Sequence, residues 1–187
     1  SYGDGIVDLS LQQTMRTFPV QFVASNLKPN TRYYAFFNNV SVDNWISVDR
    51  ITTSAEDGRA RYAGTANSDP LGFGSPILSD EFGNIQGLFL VPNGRAPIAG
   101  STYTGNLSDI PYRTDGPTRS FPAGQRTLRF IDSQDNAVSI DLVGGIAEAV
   151  YTSSSIVANA ERTVVNTRVP SRTITNTVIG QEVRTIT

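Results

Sequence analysis

Two apolar-aromatic runs, residues 17–24 and 31–38, set the pattern of this chain. In the first, Phe18, Val20, Phe22 and Ala24 fall on one side at a period of two, with Thr17, Pro19, Gln21 and Val23 on the other. That is the pattern of a half-buried strand. In the second, Tyr33, Tyr34, Phe36 and Phe37 are too dense for clean alternation. A strand with large rings on both faces is usually central, with another sheet or a neighbouring chain against its second face. The connector SNLKPN between them is rich in residue types that end strands.

Short extended segments continue along the chain. Residues 40–46 and 48–53 supply two β candidates with Trp45 as the large anchor between them, and AEDGRARYAG places Asp57 and Gly58 in a turn before a strand over 59–63. Residues 65–75, TANSDPLGFGS, read as loop. PILSD, the turn EFGN and IQGLFLVP form a strand pair, and Leu88 to Val91 read as covered on both sides. Residues 93–122 hold Pro97, Pro111, Pro117 and Pro122 with little periodicity, so they form a functional surface loop or an insertion held by contact with something else. The last core signal is AGQRTLRFIDSQDNAVSIDLV, in which Leu128, Phe130 and Asp132 alternate against Arg129 and Ile131, the turn SQDN follows, and Val138, Ile140 and Leu142 alternate on the return. Phe22, Phe36, Trp45, Leu88 and Phe130 lie centrally in these segments and are expected to be buried.

The ends differ from the middle. Residues 1–13 are polar and read as an N-terminal arm. Past Gly144 and Gly145, IAEAVYTSS can pair as a strand, and between Thr163 and Thr187 15 of 25 residues are Val, Ile or Thr. That composition favours extended structure. Val165, Val169, Ile174, Val178 and Val183 recur at steps of four and five, which fit no heptad and exclude a coiled coil. With no partner for it apparent earlier in the chain, residues 161–187 are expected to pair with other chains. Val165, Arg168, Val169, Arg172, Ile174, Val178 and Val183 are the expected subunit-interface residues. The expected organisation is an N-terminal arm (1–13), a β-sandwich domain (14–145) with a Pro-rich insertion at 93–122, and an extended C-terminal assembly segment (146–187). Deleting 161–187 is accordingly expected to leave a folded domain that no longer assembles.

Composition narrows the chemistry. The 187 residues include no Cys and no His. Disulfides, thiolate zinc sites, cysteine nucleophiles and serine–histidine triads are thereby excluded from this chain. Net charge is −2, and Lys28 is the one lysine among 15 basic residues, the rest being Arg. With a pI near 5.1 and no basic cluster, nucleic-acid binding has little electrostatic support. A preference for Arg suits interfaces. No segment approaches a membrane span, and no signal-peptide pattern opens the chain.

Candidate chemistry is sparse. Asp132, Asp135 and Asn136 offer oxygen ligands to calcium, although an Asx-rich turn is the simpler reading. Asp80 and Glu81 form no acid–base pair, because adjacent strand residues point to opposite faces; both read as solvated turn carboxylates. Tyr33, Tyr34, Trp45, Phe36 and Phe37 are a candidate sugar-binding platform, against which a packed core explains most of them. Asn39 and Asn106 head Asn-x-Ser sequons, relevant only in a secreted eukaryotic protein.

Several motifs in order resemble a β-rich structural domain of tailed-phage virion proteins, in particular long tail-fibre and baseplate-associated proteins of T4-like phages of cyanobacteria. They are the Phe/Val-rich strand before LKPNTR, the aromatic pair in YYAFF, DEFGN before GLFLVP, and GQRTLRFIDS, followed after Ala147 by an apolar strand and a polar tail of ERTVVNTRVP type. The resemblance covers about residues 14–172 with 93–122 outside it, and FNNVSVDNWI stands where that family commonly has an FDG-V-type segment. It implies an all-β, Ig-like β-sandwich with an extended C-terminal arm, in a non-enzymatic virion protein of a tail, fibre or baseplate. It implies no cofactor and no metal, and as partners other copies of itself and other virion proteins. The alternative is a carbohydrate-binding or cell-surface adhesion module, with a host-surface glycan as partner.

Overall fold

The computed structural model describes residues 13–138 and 145–153, and the backbone of 158–165 and 173–178. Among these the chain is all-β, broken only by short 3-10 turns at Asp43–Trp45 and Leu107–Asp109. Its strands are β1 (Pro19–Ser25), β2 (Arg32–Phe37), β3 (Val40–Ser41), β4 (Ile46–Val48), β5 (Ile51–Thr53), β6 (Ala60–Tyr62) and β7 (Ile77–Leu78). They continue as β8 (Ile85–Leu90), β9 (Gly94–Arg95), β10 (Thr118–Arg119), β11 (Gly124–Ile131), β12 (Ile146–Ser153), β13 (Ala158–Val165) and β14 (Thr173–Val178). No helix among the described residues is long and apolar enough to cross a membrane.

Two antiparallel sheets carry the core. The smaller has the order β14-β1-β8-β4 and the larger β13-β12-β11-β2-β3, with β7 also pairing β2; β5-β6 and β9-β10 are separate ribbons. The alternation read in β1 is realised: Val20, Phe22 and Ala24 are buried, and Phe22 stacks on Phe130 of the other sheet with ring centroids 4.8 Å apart. Phe37 of β2 reaches Phe89 of β8 at 5.1 Å, Phe121 at 4.8 Å edge-on and Tyr151 at 6.3 Å. The two sheets therefore pack face to face through aromatic rings, whose offset and edge-on geometries are the favourable ones. Phe22, Phe36, Trp45, Leu88 and Phe130 are all buried as expected. Phe36, however, packs with Ile131, Ile146 and Tyr34 in a second, smaller cluster apart from the main core.

Local chemistry sets the approach of the strands. Asn38 and Asn39 join β2 to β3 with φ of 52° and 66°, as a two-residue type I′ hairpin turn requires. Gly87 sits mid-strand in β8, where a Cβ would lie 2.3 Å from the Ser47 carbonyl oxygen, so only glycine lets β4 close on β8.

Several expectations are corrected. The Pro-rich insertion follows the second of its two readings, held by contact: Ala96, Tyr103, Ile110 and Phe121 enter the core cluster, and Phe73 N–H donates to the Ser101 carbonyl at 2.8 Å. Within it the chain pairs as the β9–β10 ribbon, and Phe121 packs edge-on against Phe37 of β2. Of the return segment read after β11, residues 139–144 lie outside the described residues, and Val138 is exposed. The antiparallel neighbours of β11 are β12 and β2. The C-terminal segment is extended where described, but it finds partners within its own chain. β13 pairs with β12, and β14 pairs with β1 in register from Val20↔Val178 to Ser25↔Thr173. The sequence argument overlooked two open strand sides: that of β12, taken by the next strand β13, and that of β1, whose other side β8 fills, taken by the distant β14.

Candidate functional site

The expected interface residues fall in two groups. Val165 closes β13 opposite Glu148, while Ile174 and Val178 of β14 stand opposite Ala24 and Val20. Arg168, Val169, Arg172 and Val183 lie outside the described residues. β13 and β14 lie side by side, each at one end of its sheet.

The aromatic platform is not assembled. Tyr33, Trp45, Phe36 and Phe37 are buried, and Tyr34 is half-buried with the Arg32 guanidinium 4.4 Å over its ring. Asp132 accepts a hydrogen bond from Lys28 Nζ at 2.7 Å. No cluster of three or more acidic residues suited to a metal occurs among the described residues. Asp80 is not a solvated turn carboxylate but 1% exposed. Its Oδ1 accepts from the Phe82 and Asn84 amides at 2.9 Å each, and its Oδ2 from the Tyr62 amide at 3.1 Å. It holds the turn between β7 and β8 and ties β6 to it. Glu81 is bound outside, to the Ala60 amide and to Arg59. Those bonds hold its carboxyl below the ordinary glutamate range.

A second buried carboxylate was not legible in the sequence. Asp49, 1% exposed, accepts from Gln86 Nε2 at 2.8 Å and from the Asn67 amide at 2.9 Å. Gln86 Nε2 also donates to the Thr65 carbonyl, and Gln21 Nε2 to that of Ala66, each at 3.0 Å. Polar groups on the outer face of the smaller sheet thereby bind down the loop read as plain connector. Burial raises the Asp49 carboxyl above its ordinary value, against the opposing pull of Gln86 and the amides of Asn67, Ser68 and Asp69. A raised native value means the folded state holds the proton more tightly than the unfolded state. As pH falls from the raised value toward 3.8, this group therefore adds stability, and as pH rises back through that window it removes it. Urea midpoints measured across this window are expected to fall with acidification more steeply in Asp49→Asn than in the parent. Parallel profiles would show that Asp49 titrates as in the unfolded chain.

A further group of polar side chains converges on the larger sheet. Arg129 of β11 and Glu148 of β12 stand opposite each other, Nε to Oε2 at 2.6 Å, with side chains 22% and 10% exposed. Arg129 Nη1 donates to Asn136 Oδ1 at 2.9 Å, and Asn136 Nδ2 to Asn39 Oδ1 at 3.4 Å. The pair floors a cleft of about 310 Å³ whose walls include Asn38, Asn39, Gln125 and Thr127. Sequence reasoning passed over this group. The available signal was Glu148, a lone charge inside the apolar strand IAEAVY. Comparison with family models, curated proteins and solved structures finds no significant match to this chain.

Proposed function

We propose that this chain is a non-enzymatic structural protein of a tailed-phage virion, an Ig-like β-sandwich that joins a tail, fibre or baseplate through its C-terminal side. The observation that carries the reading is that one C-terminal segment supplies the end strand of both sheets. End strands present backbone donors and acceptors that another chain can pair with. The two sheets packed face to face support the sandwich, and the ordered series of motifs that resembles virion domains supports the setting. The lack of His and Cys supports a role without catalysis. The β contacts between subunits are assigned to the outer sides of β13 and β14 rather than to the whole of 161–187, since the inner sides are taken by β12 and β1.

Sedimentation of the full chain over a wide concentration range tests this. A closed trimer or larger ring that forms cooperatively is the expected result. A monomer at every concentration would overturn self-assembly as the role of that side.

A further inference from the structure

The geometry points to the cleft over Arg129 and Glu148 as a binding site for a neutral polyhydroxylated ligand, a single sugar unit presenting two adjacent hydroxyls. An ion pair taken largely out of water returns little net stability, so the fold gains little by keeping it there. Its bonding is also incomplete. Nε and Nη1 of Arg129 and Oε2 of Glu148 are engaged, leaving Arg129 Nη2 and Glu148 Oε1 without a hydrogen bond among the described residues. A guanidinium donor beside a carboxylate acceptor matches a vicinal diol, in which one oxygen accepts from the arginine while a neighbouring hydroxyl donates to the carboxylate.

The walls fit the same chemistry. Asn39 and Gln125 carry amides that both donate and accept, and Thr127 adds a hydroxyl. Arg126 also borders the cleft; three of its five N–H donors go to the carbonyls of Pro122, Ala123 and Gln125 at 3.1, 3.2 and 2.9 Å, which holds the guanidinium in place. The paired charges of Arg129 and Glu148 cancel at the floor, while Arg126 at the rim has no carboxylate partner among the described residues, so an anion is the competing ligand. A volume of about 310 Å³ lies at the small end of ligand sites, enough for one ring and not for an extended chain. The site is built in advance. Asn38 and Asn39 are held at positive φ, and Asn136, also at positive φ (57°), links Arg129 to Asn39. Three separate segments are so fixed around one floor. No aromatic ring lines the cleft, so binding rests on hydrogen bonds and is weak, in the millimolar range. This inference stands apart from the assembly reading and survives its failure.

The test is amide-resolved NMR of the full chain titrated with D-glucose, D-galactose, D-mannose and N-acetyl-D-glucosamine, with sodium phosphate as an anionic probe. Saturable shifts confined to β11, β12 and the β2–β3 turn are expected with at least one sugar. Glu148→Gln is expected to weaken them at least about tenfold. Asn39→Gly is the second variant, because glycine accepts φ of 66° without strain while the amide is removed. It is expected to weaken binding with the rest of the spectrum unchanged. The proposal is overturned by no saturable shift with any sugar up to about 100 mM, by a response to phosphate alone, by shifts elsewhere in the fold, or by undiminished binding in Asn39→Gly.

Discussion

Phe37→Ala is expected to cost about 4 kcal/mol of folding stability, near the middle of the range for a filled aromatic core site. Phe37 is fully buried and is the one ring in contact with three others: Phe89 of the smaller sheet, Phe121 of the insertion and Tyr151 of β12. Its removal leaves a cavity bounded by rigid rings on separate elements, which cannot collapse together to fill it. Phe36, next to it, points the other way into the cluster with Ile131, Ile146 and Tyr34 and is 7% exposed. Phe36→Ala is therefore expected to cost less, about 2–3 kcal/mol, because solvent reaches part of the site. Urea unfolding of both variants checks this. If Phe36→Ala proved the costlier change, the second cluster rather than the face between the sheets would hold the molecule together.

Truncation after Ser153 is expected to remove on the order of half of the roughly 5–15 kcal/mol typical of a domain and to turn the product toward aggregation. The expectation drawn from composition alone was that deleting 161–187 leaves a folded domain, whereas β13 already begins at Ala158 and β14 lies within the deleted stretch. β14 covers one whole side of β1, from Val20 to Ser25, and β13 covers one side of β12. Without them, strands that carry core side chains become bare edges, each a template for another chain. Both a lower urea midpoint and a lower m-value are expected, since less surface is buried in the folded state. An unchanged midpoint would show that β13 and β14 add no stability, and would return the whole segment to contacts between chains.

Some of this architecture was legible and some was not, for identifiable reasons. Period-two burial in β1, the doubly covered β8 and the Asp57-Gly58 turn before β6 follow from side-chain alternation and turn chemistry, which are local. Partner choice is not local. A run of Val, Ile and Thr specifies an extended backbone without specifying which neighbour completes it, and that ambiguity misplaced the C-terminal segment. Asp49 and Asp80 resemble any other turn carboxylate until the fold brings distant amides to them. The Arg129–Glu148 pair was hidden for the same reason, since the two residues sit in separate segments and meet only through the register of β11 and β12. Proline density left two readings of the insertion open, because it reports the absence of ladder bonds and says nothing of burial.

The pairing of β1 with β14 also orders events in time. β1 is made before β8, and β14 only after both, so the second neighbour of β1 closes over a much longer stretch of chain than the first. Closing so distant a contact carries a large loop-entropy cost before any reward, which places the chain among slow-folding all-β topologies. Between the synthesis of β8 and that of β14 the nascent protein therefore presents the unpaired backbone edge of Val20–Ser25 to the cell. Productive folding then depends on how long that side is kept from strands of other nascent chains.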